Sequence, residues 1–459
     1  MSNFTTRYVT IFKALLPAPF TIAVLLTFLT MILAFFVTRP VDSSWLDYSG
    51  KILTFWETGL WNNNLLVFAL QMMLMLVLGH VLALTKPVNG LIKAATGFCT
   101  NTANAAALVS FLTLCVSLFN WGLGLIFGAI FARKVGEAAI NQGYKINYPI
   151  IGAAGYAGLM VWHGGLSGSA PVKINEPGHL TGMMKDIFSE AQLKALPDQI
   201  TYAETIFSSM NISISLIALA IIPLVFYSIG KKSKATMIAL KSETIITETE
   251  EVTGAERLDV SKVLGIFFSL IILCICVYKM VQLGYKYFSP NNINLLLFGA
   301  GLLLHGNFRN YLKGIDQAIA GAAGILIQFP LYFGIMGIMK SSGLVEYFSN
   351  FFVSVSNETT FPIFTFISAG IVNVFVPSGG GQWAVQGPII LQAATELNVS
   401  IPKSVMALAY GDQLTNMLQP FWALPLLGIT QLKAKDILPY TLFLMVIGAG
   451  IFVIGLLVF

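Results

Sequence analysis

Residues 361–396 read FPIFTFISAGIVNVFVPSGGGQWAVQGPIILQAATE. The stretch is apolar almost throughout, yet Pro377-Ser378-Gly379-Gly380-Gly381 interrupts its middle. One membrane helix takes about 20 residues, so the stretch is too long for a single span. Proline and glycine also end or weaken any helix that reaches them. Residues 103–133 have the same build around Asn120-Trp121-Gly122-Leu123-Gly124. Each stretch is either two full spans or one re-entrant hairpin. Backbone groups freed by such breaks need protein, water or ligand as partners, because lipid offers none. The breaks therefore belong around an internal cavity.

The rest of the chain agrees with a membrane setting. Of 459 residues, 56% are hydrophobic and 10% charged, with a mean hydropathy of +0.78. Soluble domains carry roughly 25% charged residues, so lipid must serve as solvent. The fold class expected is all-α and polytopic, with about nine spanning helices plus the two hairpins. Expected spans are 17–38, 64–85, 149–171, 206–229, 260–282, 290–304, 315–340, 402–427 and 438–459. The first follows Arg7 and Lys13 as a signal peptide would. It is too long for a signal core and lacks a cleavage site, so it reads as a retained span. Cys99, Cys115, Cys274 and Cys276 lie in apolar stretches without zinc-ligand spacing and read as small buried residues. The net charge of +5 reflects loop bias rather than a nucleic-acid surface.

Loop charges orient the chain. With a cytoplasmic N-terminus, the inner loops carry Lys86 and Lys93, then Arg133, Lys134 and Lys145, then Lys231, Lys232 and Lys234. Arg309, Lys313, Lys433 and Lys435 follow the same rule, while outer segments 39–63 and 172–205 are mixed or acidic. Segment 172–205 reads as an amphipathic insert lying along the outer surface. Polar residues 230–259, with Thr247-Glu248-Thr249-Glu250-Glu251, read as a cytoplasmic linker between a first membrane repeat, 1–229, and a second, 260–459.

The halves share an order of features. At an offset of 257, Gln71 meets Gln328, Gly122 meets Gly379 and Gly124 meets Gly381. At 253, Pro149 meets Pro402, Gly158 meets Gly411 and His163 meets Asn416. Each half runs span, broken hairpin, then a proline-started span interrupted by polar residues. An odd number of crossings between equivalents inverts one half relative to the other, the architecture of many secondary transporters.

Four polar clusters fall at membrane depth: Phe119–Gly124, Trp162–Ser169, Val376–Trp383 and Gly411–Asn416. Taken singly, each glycine motif is better explained by close helix packing; four at matched positions point to a site. The substrate-binding candidates are Asn120, Trp121, Gly122, Gly124, His163, Ser167, Gly168, Ser169, Ser378, Gly379, Gly380, Gly381, Gln382, Trp383, Gln413 and Asn416. No Lys or Arg lies within the clusters, so an anion would be held by helix N-termini, backbone N–H groups and hydroxyls. That suits a small monoanion. Trp121, Trp162, Trp383 and Phe375 offer packing for a short apolar tail, although ordinary helix packing explains any one of them. Asp412 is the one carboxylate well inside an expected span. It binds a coupling cation, carries a proton or accepts hydrogen bonds from a broken helix, with Asn373, Asn416 and Asn120 as candidate co-ligands. His163 either donates to a substrate carboxylate or satisfies a freed carbonyl. His80 and His305 read as interfacial. No catalytic set, cofactor or metal beyond a transported Na⁺ is expected.

Several motifs together resemble the short-chain fatty acid transporter family of bacterial inner membranes. They are Asn120-Trp121-Gly122-x-Gly124-Leu125, Gly164-Gly165-x-Ser167-Gly168-Ser169-x-Pro171, Val376–Gly381, Gln386-Gly387-Pro388 and Gln419–Pro425. The resemblance runs the whole length. It implies cation-coupled uptake of small carboxylates such as butyrate or acetoacetate, by Na⁺ or H⁺, through an elevator motion, with a homodimer possible. Two positions depart from the family: Gln382 follows the triple glycine where histidine is frequent, and His163 stands where some relatives carry a small residue. The alternative substrate is another small organic anion, a di- or hydroxycarboxylate. An intramembrane enzyme would need motifs such as His-Glu-x-x-His, and none occurs.

Overall fold

The computed structural model describes residues 17–185, 187–238, 240 and 253–459. Arg7, Lys13 and the acidic run of the linker lie outside these residues. Among the described residues the chain is helical, with one isolated bridge, Asn147 to Thr236, and no strand.

The first half contains α1 (Pro19–Val37), α2 (Trp45–Leu60), α3 (Asn63–Ala83), α4 (Lys86–Thr96), α5 (Thr102–Phe119), α6 (Trp121–Gln142) and α7 (Tyr148–Tyr156). The short segments α8 (Ser169–Lys173), α9 (His179–Met184) and α10 (Glu190–Ala195) precede α11 (Ser209–Lys232). The second half contains α12 (Lys262–Leu283), α13 (Pro290–His305), α14 (Phe308–Ala318), α15 (Ala323–Ser341), α16 (Leu344–Ser354), α17 (Phe361–Phe375), α18 (Gly379–Glu396), α19 (Ile401–Thr415), α20 (Ala423–Thr430) and α21 (Ala434–Val458).

Among the described residues, seven helical stretches are long and apolar enough to cross a membrane. Exposed Val263, Phe267, Val277 and Val281 of α12 present an outer surface that only lipid suits. The helix starts are written in the sequence. Side chains of Asn101, Asn120, Asn147, Ser208, Ser261, Ser289, Ser378 and Ser400 each accept a backbone N–H of the following first turn.

Helix bounds repeat between the halves. Shifted by 257, α4 falls on 343–353 and α5 on 359–376, against Leu344–Ser354 for α16 and Phe361–Phe375 for α17. Shifted by 253, α7 begins at 401, where α19 begins. Elements also cross over: α2 packs on α15, and α13 packs on α3. At the first of these crossings a Cβ on Gly59 would meet the Gly334 and Gly337 backbone, so the helices touch main chain to main chain.

Several expectations are corrected. Outer segment 39–63 contains α2, whose charges Asp47, Lys51 and Glu57 disguise it. Arg133 and Lys134 are not in a loop; they are buried within α6, paired with Glu137 at 2.9 and 2.8 Å. Arg133 also donates to the Ile429 carbonyl at 2.7 Å, near the end of α20. Cys115 and Cys274 are exposed, unlike buried Cys99 and Cys276. His80 lies in the last turn of α3 with its side chain buried. The insert 172–205 does not lie apart on a surface: Leu180, Met184, Phe188 and Ile200 form a core with Trp383, Ile390 and Leu391 of α18.

Candidate functional site

The first hairpin turns on one residue. Asn120, with φ −152° and ψ 123°, ends α5 and caps α6 through its Oδ1, which accepts from Leu123 N–H at 3.0 Å. Its Nδ2 donates to the Phe288 carbonyl at 3.1 Å. The groups freed at this break are met by the glycine segment after α7. Leu166 N–H donates to the Leu118 carbonyl at 2.8 Å, and Trp121 N–H donates to Ser167 Oγ at 2.9 Å. A Cβ on Gly165 would overlap the Leu118 carbonyl, which is why glycine stands there. Gly122 lies over Met75, and Gly124 over Ser117, so these two serve helix packing.

After α7 the chain makes short 3₁₀ turns, Ala157–Met160 and Trp162–Gly164, which carry His163 into the interior. Its backbone N–H donates to Gln413 Oε1 at 2.8 Å. Its Nε2 accepts the Ala170 N–H at 3.2 Å, and the neutral ring therefore carries its proton on Nδ1. That nitrogen stands 3.5 Å from Asp412 Oδ1. Trp162 stacks on the imidazole at 4.3 Å. His163 and Asp412 are 0% and 1% exposed. Among the described residues no group donates a hydrogen bond to Asp412 Oδ2, and a carboxylate at membrane depth marks a candidate ion site.

The second hairpin closes on the same point. Pro377 stops the chain after α17, and Ser378 Oγ accepts from Gly381 N–H at 3.2 Å to start α18. A Cβ on Gly379 would stand 2.9 Å from both His163 Cε1 and Ser169 Oγ. Asn373 of α17 donates to the Asp412 carbonyl, to Thr415 Oγ1 and to Asn416 Oδ1 at 2.7, 3.0 and 2.9 Å. Oxygens Asn373 Oδ1, Gln382 Oε1 and Gln419 Oε1 are buried and lack donors, as is Asn416 Nδ2 among donors without acceptors.

The structure thus gathers His163, Asp412, Gln413, Asn416, Asn373, Ser169 and Gly379. Asn120, Trp121 and Ser167 form a neighbouring group, joined through Trp121 to Trp162 at 5.9 Å and to Trp422 at 5.1 Å. Gly168 packs on the His163 carbonyl, while Gly380 has open space around it. The Asn120 side chain bonds Leu123 and Phe288 rather than Asp412. Trp383 turns the other way, and its Nε1–H donates to His179 Nε2 of the insert at 3.0 Å. Phe375 is buried in the main core. The residues missed in the sequence are supports: Tyr156, whose hydroxyl donates to the Asn416 carbonyl at 2.8 Å, and Asn211, which donates to the Gly164 carbonyl at 2.8 Å and accepts from Tyr410. Asn211 lies in the first turn of α11 and is the one amide of that helix, a signal the sequence carries.

Two hairpins and two interrupted helices, meeting around one buried ionisable pair in a multi-pass helical membrane protein, define the class as a membrane transporter. A model of the short chain fatty acid transporter family matches residues 1–459, and the chain belongs to that family. A relative from Escherichia coli K12 is 35% identical over 470 aligned residues, spanning 100% of this chain and 99% of its own. One from Haemophilus influenzae is 34% identical over 475, spanning 99% and 98%. Both are provisionally named short-chain fatty acid transporters, and neither is an enzyme. Among solved structures, the Alcanivorax borkumensis YdaH transporter aligns with 14% identity and a TM-score of 0.46, over 96% of this chain and 97% of its own. Neisseria gonorrhoeae MtrF, an antimetabolite efflux pump, aligns with 15% identity and a TM-score of 0.41, over 98% and 97%.

Proposed function

We propose that this protein takes up short-chain monocarboxylates such as butyrate or acetoacetate across the bacterial inner membrane, driven by a coupled cation. The observation that carries coupling is the buried Asp412 carboxylate, which faces a neutral imidazole and has one oxygen without a donor. Its charge is compensated only when a proton or Na⁺ joins it, with Asn373 and Asn416 as neighbouring amides. Family membership supports the substrate class. The lack of Lys or Arg in the four clusters supports a single negative charge, held by Ser169, the α18 N-terminus and the Asn416 amide.

The recurrence of helix bounds at fixed offsets supports two repeats, 1–229 and 260–459, which the loop charges orient as inverted with the N-terminus cytoplasmic. An elevator motion of the hairpins against the remaining helices, within a homodimer, is the mechanism that goes with this build. The test is uptake of labelled butyrate into proteoliposomes under imposed Na⁺ or H⁺ gradients. Accumulation under one gradient is expected, and none under either defeats the proposal. The second reading, a di- or hydroxycarboxylate carrier, predicts that such acids outcompete butyrate in a competition panel.

A further inference from the structure

We infer that a crevice between α16, α17 and α18 is the outer entrance of a path that leads a monovalent metal cation to Asp412. This rests on the coupled-carrier reading and on the orientation proposed with it. The crevice is narrow, with room for about one water molecule, and is lined by Phe352, Phe361 and Ile390, with the hydroxyl residues Ser349, Thr365 and Ser368. From its floor a chain of buried amides runs inward. Gln386 Nε2 donates to Ser349 Oγ at 2.9 Å and Ser368 Oγ at 3.2 Å. Gln382, one turn nearer the hairpin tip, donates to Gln386 Oε1 at 2.7 Å and to the Ala369 carbonyl at 2.9 Å. Ala369 precedes Asn373 by one turn of α17, and Asn373 donates to the Asp412 carbonyl.

Both glutamines are 0% exposed, and polar side chains at membrane depth are expensive enough to mark ion pathways by default. A purely structural clasp would satisfy every member. Here Gln382 Oε1 and Asn373 Oδ1, both fully buried, are left without donors, and Asp412 Oδ2 is left the same way. Hydroxyl, amide and carboxylate oxygens in succession are the ligands a hard cation exchanges for water. Amides do not relay protons as hydroxyls and imidazoles do, which favours a metal cation over a proton on this route. Under the proposed orientation the base of hairpin α17–α18 lies outside, so the path runs from the outer face to the membrane centre.

The test places single cysteines in a full-length, cysteine-free background and adds a membrane-impermeant cationic thiol reagent from each side. Thr365→Cys and the near-isosteric Ser368→Cys are expected to label from outside, under conditions that leave buried Ser269→Cys of α12 unlabelled. Na⁺ is expected to slow the labelling of Ser368→Cys. Labelling no faster than at Ser269→Cys, or only from inside, overturns the path. In parallel, Gln386→Leu is expected to raise the Na⁺ concentration needed for half-maximal uptake; an unchanged Na⁺ dependence in a normally folded variant also overturns it. Labelling needs no substrate, so failure of wild-type butyrate uptake would count against the transport reading alone.

Discussion

At the scale of single residues, the pairing of His163 with Asp412 carries the sharpest expectations. Asp412→Asn keeps the shape and removes the charge. Gradient-driven accumulation should be lost, while exchange of substrate at equal concentrations persists in proteoliposomes. His163→Ala removes the Ala170 N–H acceptor and the stack on Trp162; leaving a buried donor unmet costs about 1–3 kcal/mol, readable as a lowered melting temperature in detergent. Gly379→Ala adds a methyl 2.9 Å from His163 and Ser169. Overpacking of that order costs about 1–3 kcal/mol, and a fall in transport exceeding the fall in stability is expected. Much of this cluster was legible beforehand, because Asp412, His163 and the glycine runs are conspicuous in an apolar chain. Which partners they choose was not. Trp383 looks like a site aromatic from its place beside the triple glycine, yet a helix rotation of one residue turns it to the insert. Tyr156 and Tyr410 look like any span aromatic until their hydroxyls are seen to reach across the repeat.

At the scale of elements, the insert against α18 supplies a pH-dependent contact. Indole N–H can only donate, so His179 Nε2 must be unprotonated to receive Trp383. Burial and nearby Lys173 hold the His179 pKa below its ordinary value. A depressed histidine contributes stability that is fully present above the ordinary pKa and is lost as pH falls through the lowered one. Protease cleavage within 172–205 should therefore accelerate on acidification, and His179→Gln should flatten that response. Helix starts were readable from their Asn and Ser caps, and the hairpin breaks from Pro377 and Asn120. By contrast α2 was hidden, because three charges in a row of outer residues outweigh its period. The buried Arg133–Glu137 pair was hidden for the same reason: charge implies a loop until a partner is visible.

At the scale of the molecule, the two halves hold one another through crossed contacts, α2 on α15 and α13 on α3. Gly59→Leu would force main chain from main chain at that crossing, and reduced yield of folded protein by size-exclusion chromatography is expected. Whole-molecule order was partly legible from recurring features, but the crossing of elements between halves leaves no periodic trace in sequence. The two hairpins also differ in how they turn. The first turns on Asn120 alone, whose backbone and side chain are both engaged. The second turns through Val376, Pro377 and Ser378, beside a Gly380 with nothing pressed against it. Val376 and Pro377 are buried and Ser378 N–H donates to the Val376 carbonyl at 2.7 Å, so open space appears only at Gly380, two residues past the turn. Unfilled space beside the site is therefore concentrated at Gly380 of the second hairpin, whereas the first hairpin is bonded through its single turning residue.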